Sequence, residues 1–219
     1  MHIPTGFIPI TVAAGGYAVM GAAALYTLRK IKEAEDPRAN IPKAALLTAA
    51  FFVASLIHIP VPPTSVHLIL NGLLGVILGY YAFPAILVGL VFQAILFGHG
   101  GVDTFGVNAV ILGLPALLAH LIFQARHLMG GGSNRITSSI FGFIAGASAI
   151  AVSTLLFFGI MVYSIPADMN AATEQAAITA LSLAHIPLML IEGTLTAMLI
   201  IYLMRVQPHL LGGLREARA

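Results

Sequence analysis

Residues 67–98 read HLILNGLLGVILGYYAFPAILVGLVFQAILFG, with no Asp, Glu, Lys or Arg among them. Two short apolar runs, 67–82 and 84–98, meet at Phe83-Pro84. Proline is tolerated in the first turn of a helix, where its missing N–H has no partner to lose. The segment 80–84 therefore reads as a tight turn between two helices. That decision sets the parity of the membrane crossings, and with it the fold.

The surroundings leave no doubt about the solvent. Of 219 residues, 59% belong to the hydrophobic set and 8% are charged, against about 25% charged in a soluble domain. So few charges cannot cover a soluble fold of this size, so the chain reads as an integral membrane protein. A bilayer asks for roughly 20 apolar residues per helix, about 17–25 in range. Seven stretches qualify, near 7–28, 43–59, 67–82, 84–98, 107–126, 138–164 and 176–204. All seven read as helical, because open sheet edges cannot be satisfied in lipid. The expected fold class is an all-α membrane protein forming one transmembrane domain over residues 1–219.

Charge then orients the chain. With the N-terminus outside and seven crossings, the inner loops are 29–42, 80–84, 127–137 and the C-terminal tail. Arg29, Lys30, Lys32, Arg38, Lys43, Arg126, Arg135, Arg205, Arg215 and Arg218, all the Lys and Arg of the chain, fall inside or at inner helix ends. Asp103, Asp168 and Glu174 fall outside. Positive charge collects on the cytoplasmic side, so the expected orientation is N-terminus outside and C-terminus inside. The pI near 9.1 reports this topology and not nucleic-acid binding. The opening segment has no positive n-region, and the first span outruns a signal's apolar core, so the N-terminus is expected to be retained. Gly130-Gly131-Gly132-Ser133-Asn134 reads as a flexible inner linker. Small residues at 14/18/22, 45/49, 50/54, 75/79 and 142/146 suit close helix packing.

The histidines are unevenly spread. His2, His58, His67 and His99 fall at outer helix ends, and no Cys is present, so a metal site must use nitrogen and oxygen donors. In Met1-His2 a free α-amine, the His2 backbone nitrogen and His2 Nδ1 can chelate one ion through a five- and a six-membered ring. Those donors lie nearly in a plane, and a fourth nitrogen completes a square that suits Ni(II) or Cu(II). Pro4 stiffens the tail. The best fourth ligand lies in SLIHIPVPPTSVHLILNG, residues 55–72. Pro60, Pro62 and Pro63 make an outer loop there, Thr64 or Ser65 can cap the next helix, and His67 falls in its first turn. The Thr64 and Ser65 hydroxyls are placed to orient a ring, with His58 as a reserve group. In LFGHGGVDTFGVN, residues 96–108, glycines permit close approach and His99, Asp103 and Asn108 offer polar atoms. Affinity is expected to fall on acidification, because binding needs neutral imidazoles and a free amine, whose reference pKa is about 7.7–8.0.

An opening MHIP-x-GF, a Pro-rich loop ending in TSVHL and GHGG-x-x-T-x-G-x-N together resemble the CbiM/NikM family. Its members are the membrane-embedded substrate-binding subunits, or S components, of energy-coupling-factor transporters for cobalt and nickel. The resemblance covers Met1 to about residue 206. It implies a six-helix core with one extra N-terminal helix, in a prokaryotic cell membrane. It implies Ni(II), or Co(II), as substrate, with Met1 supplying its amine, His2 its backbone and ring nitrogens, and His67 its imidazole. His99 stands where members often carry Asp, and the His form looks closer to the nickel branch. The implied partners are a transmembrane coupling subunit and cytoplasmic ATPases, with room for a small accessory membrane subunit. In related subunits a small-residue helix face meets the coupling subunit, which points to Ala45, Ala49, Ala50 and Ala54. No G-x-x-x-x-G-K-[ST] occurs, so the chain is not itself a P-loop ATPase.

Three other readings compete. A cation- or proton-coupled carrier could use Glu192 and His185, seven residues apart on the last helix. An intramembrane hydrolase could pair Ser65 with His67 or Ser182 with His185, but no G-x-S-x-G-like turn is present. A haem protein needs histidine pairs near both faces, and the outer clustering argues against that.

Overall fold

A computed structural model describes residues 2–61, 64–129 and 134–211, with backbone only for 58–61, 64, 65 and 209. Met1, Pro62, Pro63, the glycine linker 130–133 and the tail from 212 lie outside the described residues. The elements in order are α1 (Ile10–Lys32), α2 (Ile41–Ala54), β1 (His58–Val61), β2 (Thr64–His67), α3 (Asn71–Leu78), α4 (Ala82–Phe97), α5 (Phe105–Gln124), α6 (Arg135–Tyr163), α7 (Ala171–Leu183) and α8 (His185–Val206). Short 3-10 turns follow α3, α5 and α8. The polar signals at helix ends act as expected. Asn134 caps α6 through Ile136 and Thr137 N–H, and Arg29, Lys30 and Lys32 close α1, where they complement the helix dipole.

Among the described residues, five helical segments are long and apolar enough to cross a bilayer: Ile10–Lys32, Asn71–Phe97, Phe105–Met129, Arg135–Tyr163 and Ala171–Val206. Within the second of these the chain reverses. Gly75 lies against Ala116 and Gly79 against His120, whereas Phe83 lies back against Gly113. Gly79 makes the reversal with φ +59° and ψ −127°, a conformation that side-chain-bearing residues avoid. α3 thus runs alongside α5 in the same direction, and α4 returns.

Two expectations need correction. The stretch from 58 to 70 is not helical. His58↔His67, Ile59↔Val66, Pro60↔Ser65 and Val61↔Thr64 pair as an antiparallel hairpin, and Leu68 N–H extends it to the Ile57 carbonyl. The β-branched residues Ile59, Val61, Thr64 and Val66 favour strands. Pro60 has no N–H for a helical ladder. Thr64 and Ser65 are therefore strand residues, Leu70 stands at the N-cap of α3, and His67 closes β2 instead of sitting in a helix's first turn. α3 starts only at Asn71, after Leu70 at φ +57°. The last span is also divided. Pro187 offers no N–H to the Leu183 carbonyl, α7 ends at Leu183, and His185 opens α8 instead of lying within one continuous helix over 176–204.

α5 forms the centre of the bundle, with Ala109, Ile111, Leu112, Ala116 and Ala119 fully buried. Close backbone approach holds its neighbours. A Cβ on Gly75 would collide with the Ala116 carbonyl, and one on Gly106 would sit 2.6 Å from Tyr17 N in α1. α6 and α8 pack antiparallel in the same manner, with Gly146 against Thr196 and Gly193 against Phe143.

Candidate metal centre

The eight residues before α1 are strapped onto the loop between α4 and α5. Ile3 is fully buried, its N–H donates to Asn108 Oδ1 at 2.8 Å, and its carbonyl accepts from Asn108 Nδ2 at 3.2 Å. Gly6 N–H donates to Asp103 Oδ2 at 2.7 Å, and Tyr17 of α1 donates to the Val102 carbonyl. Asn108 itself is seated by Thr104 Oγ1, which also accepts from Gly101 N–H at 3.0 Å. Gly100 lies so near that a Cβ there would come within 2.6 Å of Asn108 Nδ2, and its φ of +78° suits glycine alone. Gly100 and Gly101 allow the close approach expected of this loop, whereas Gly98 has open space around it.

This strap delivers His2 to two other imidazoles. The His2 ring lies 5.4 Å from His67 and 5.2 Å from His99, and those two are 5.9 Å apart. The planes are within 27° of parallel. His2 Nε2 donates to Gln93 Oε1 at 3.0 Å, which leaves the lone pair on Nδ1. His67 Nδ1 donates to the Leu68 carbonyl at 2.9 Å, which leaves the lone pair on Nε2. Burial pushes the His2 imidazole well below its ordinary 6.5, the neighbouring His67 and His99 rings push it the same way, and the Gln93 bond opposes them. The ring is thus held neutral, as metal ligation requires. Among the described residues, no three His, Asp or Glu side chains form a ready metal cage. An ion at these rings needs further donors.

The expected residues fall into four groups. His2, His67, His99 and Asn108 meet at this site. The His58 backbone pairs with that of His67, while the side chains of His58, Thr64 and Ser65, like Met1, lie outside the description. Ala45 and Ala49 line an apolar groove between α2 and α4 with Thr48, Phe52, Val88 and Phe92. Ala50 is exposed beside that groove, and Ala54 is buried in the core. His185 bonds the Leu181 carbonyl at 2.7 Å, and Glu192 is bonded to the backbone N–H groups of Ile69 and Leu70. Gln93 was missed. It is 1% exposed, and it is the sole polar side chain of α4. A lone amide in an apolar helix is its signal, and no motif spacing marks it.

A Haemophilus influenzae protein assigned to metal transport is 34% identical over 222 residues, covering 96% of this chain and 97% of its own. The fused nickel transport protein NikMN of Rhodobacter capsulatus is 29% identical over 238 residues, which span 100% of this chain and 66% of that longer one. The crystal structure of a truncated transition metal transporter shares the fold, with a TM-score of 0.70 at 24% identity, covering 94% of this chain and 99% of that one. Residues 2–210 match the family described as the cobalt uptake substrate-specific transmembrane region, and this chain belongs to that family, CbiM.

Proposed function

We propose that this chain captures Ni(II), with Co(II) as the alternative substrate, at the outer face of a cell membrane for an energy-coupling-factor transporter. The ion is held in a plane of four nitrogens: the Met1 amine, the His2 backbone nitrogen, His2 Nδ1 and His67 Nε2. The carrying observation is the pair of tautomers. The bond from His2 Nε2 to Gln93 leaves Nδ1 as donor, the nitrogen that closes a six-membered chelate with the His2 backbone. The bond from His67 Nδ1 to Leu68 leaves Nε2 as donor. Such outer partners fix ring orientation and ligand basicity in metal sites. The strap through Ile3 and Asn108 supports the same reading, because it brings the start of the chain to His67.

The topology supports uptake from outside. α1, α3 and α5 run in one direction, with Gly16 near Val107, Tyr26 near Tyr80, and Gly79 near His120. α2 and α4 run the other way together, with Thr48 at Ala85 and Phe51 at Gly89. Adding α6 and the α7–α8 pair gives seven passes, a six-helix core preceded by α1, with the Lys and Arg of the described residues at the inner ends. Ala45 and Ala49, open in the α2–α4 groove, are the contact for a transmembrane coupling subunit. Cytoplasmic partners hydrolyse ATP. The extra length of NikMN is consistent with an accessory membrane subunit.

The test is acetylation of the Met1 amine. It leaves every side chain in place but turns the anchoring amine into an amide. Ni(II) affinity of the purified protein should fall by at least about 100-fold with thermal stability unchanged. Unchanged affinity would refute the chelate.

A further inference from the structure

Glu192 is a carboxylate in the middle of α8, 1% exposed, on a predominantly apolar helix. Such a group is costly inside a membrane and marks a function by default. Its partners are not ionised side chains. One oxygen accepts from Ile69 N–H, and the other accepts from Leu70 N–H at 2.8 Å. These two amides belong to the turn between β2 and α3, where the backbone is irregular and buried. Leu70 holds φ +57°, a left-handed conformation that costs an ordinary L residue about 1–2 kcal/mol. Leu70, at the N-cap of α3, offers no side-chain acceptor, and Asn71 Oδ1 serves only the Gly72 N–H. Unmet N–H groups at this depth are expensive, and Glu192 meets both from a different helix.

The turn begins at His67. Its first carbonyl, on Leu68, accepts from His67 Nδ1, and its last residue, Asn71, is tied to the Leu112 carbonyl at 3.0 Å and Ser153 Oγ at 2.9 Å. Between these two anchors lie Ile69 and Leu70, and Glu192 is what fixes them. We infer that Glu192 is a positioning residue of the metal site: it clamps the Leu68–Leu70 backbone so that the His67 ring is presented in one orientation and one tautomer. It acts through His67 and touches no ion. Both oxygens are engaged by main-chain amides, an arrangement that suits a fixed clamp.

The inference rests on His67 being a ligand, so the experiment separates the two claims. Purified wild type, His67→Ala, Glu192→Gln and Thr196→Val are titrated with Ni(II), and affinity, the ligand-field absorption band and apo thermal unfolding are recorded. Gln keeps the shape of Glu but presents an NH2 where one backbone N–H needs an acceptor. Glu192→Gln is expected to lose about 10–100-fold in affinity and to shift or broaden the band. Thr196→Val, one turn further along α8 and also buried, is expected to lower stability at most. Glu192→Asp keeps the charge but is too short to reach both amides, and it is expected to fail to rescue. If His67→Ala keeps wild-type affinity, the proposed ligand set is wrong. If His67→Ala loses affinity while Glu192→Gln keeps both affinity and band, the clamp is refuted. Should the variant not accumulate, amide exchange of the wild type decides. Ile69 and Leu70 are expected to exchange as slowly as the helix cores, and rapid exchange at both overturns the inference.

Discussion

Gln93 and Asn108 do their work on groups far away in sequence. Gln93 holds the outer nitrogen of the His2 ring, and Asn108 grips both backbone groups of Ile3. Replacing Gln93 by Leu should weaken Ni(II) binding by about 10–100-fold with little change in unfolding temperature, since it frees the ring but keeps the packing. Asn108→Ala leaves a buried N–H and a buried carbonyl unmet, at about 1–3 kcal/mol for such a group. It should lower both affinity and stability, measured by calorimetric titration and thermal unfolding. Acid should act in a definite direction. The depressed His2 value means that docking of the neutral ring is secure above about 6.5 and is lost as pH falls through the lowered value. Metal binding should weaken earlier, by about tenfold or more per pH unit below about 7.7, as protons compete for the amine. A flat affinity between about pH 8 and 5 would contradict this. The histidine cluster was legible because chemistry-bearing residues gather at one rim of the charge-derived topology. Gln93 was not, because one amide in an apolar run has no partner visible in sequence, and Asn108 was legible as a polar group but not as a grip on Ile3.

At the scale of elements, hydropathy located the helices and misread what lies between them. Residues 55–70 are as apolar as a helix, so their strand pairing escaped a length-and-composition reading, and a left-handed Leu70 has no sequence signature. The turn near Phe83-Pro84 was legible from proline chemistry, though Gly79 makes the actual reversal. The small residue at 75 was legible as a packing position, and its cost can be measured. Gly75→Ala should destabilise by about 1–3 kcal/mol, because Ala116 backbone cannot give way. Gly15→Ala on α1, with open space around it, should be neutral or stabilising by up to about 1 kcal/mol. Equal effects from the two would show that α3 does not lie on α5 as described.

For the whole molecule, the proposed sites of capture and of subunit contact are separate places. The three-histidine rim lies at one end of the bundle, and the α2–α4 groove runs along its side. Paired Ala45→Leu and Ala49→Leu changes should leave Ni(II) affinity of the purified chain intact and abolish uptake by cells carrying the full transporter. Loss of binding as well would place the groove within the metal site. Membrane character was legible because lipid permits so few backbone solutions, whereas the strap that builds the site depends on contacts between residues about a hundred positions apart. The most direct test is a crystal structure of the Ni(II)-loaded protein. The account predicts the ion in a plane between the Met1 amine, the His2 backbone nitrogen and Nδ1, and His67 Nε2. An ion held by imidazoles alone, with the amine in solvent, would contradict it.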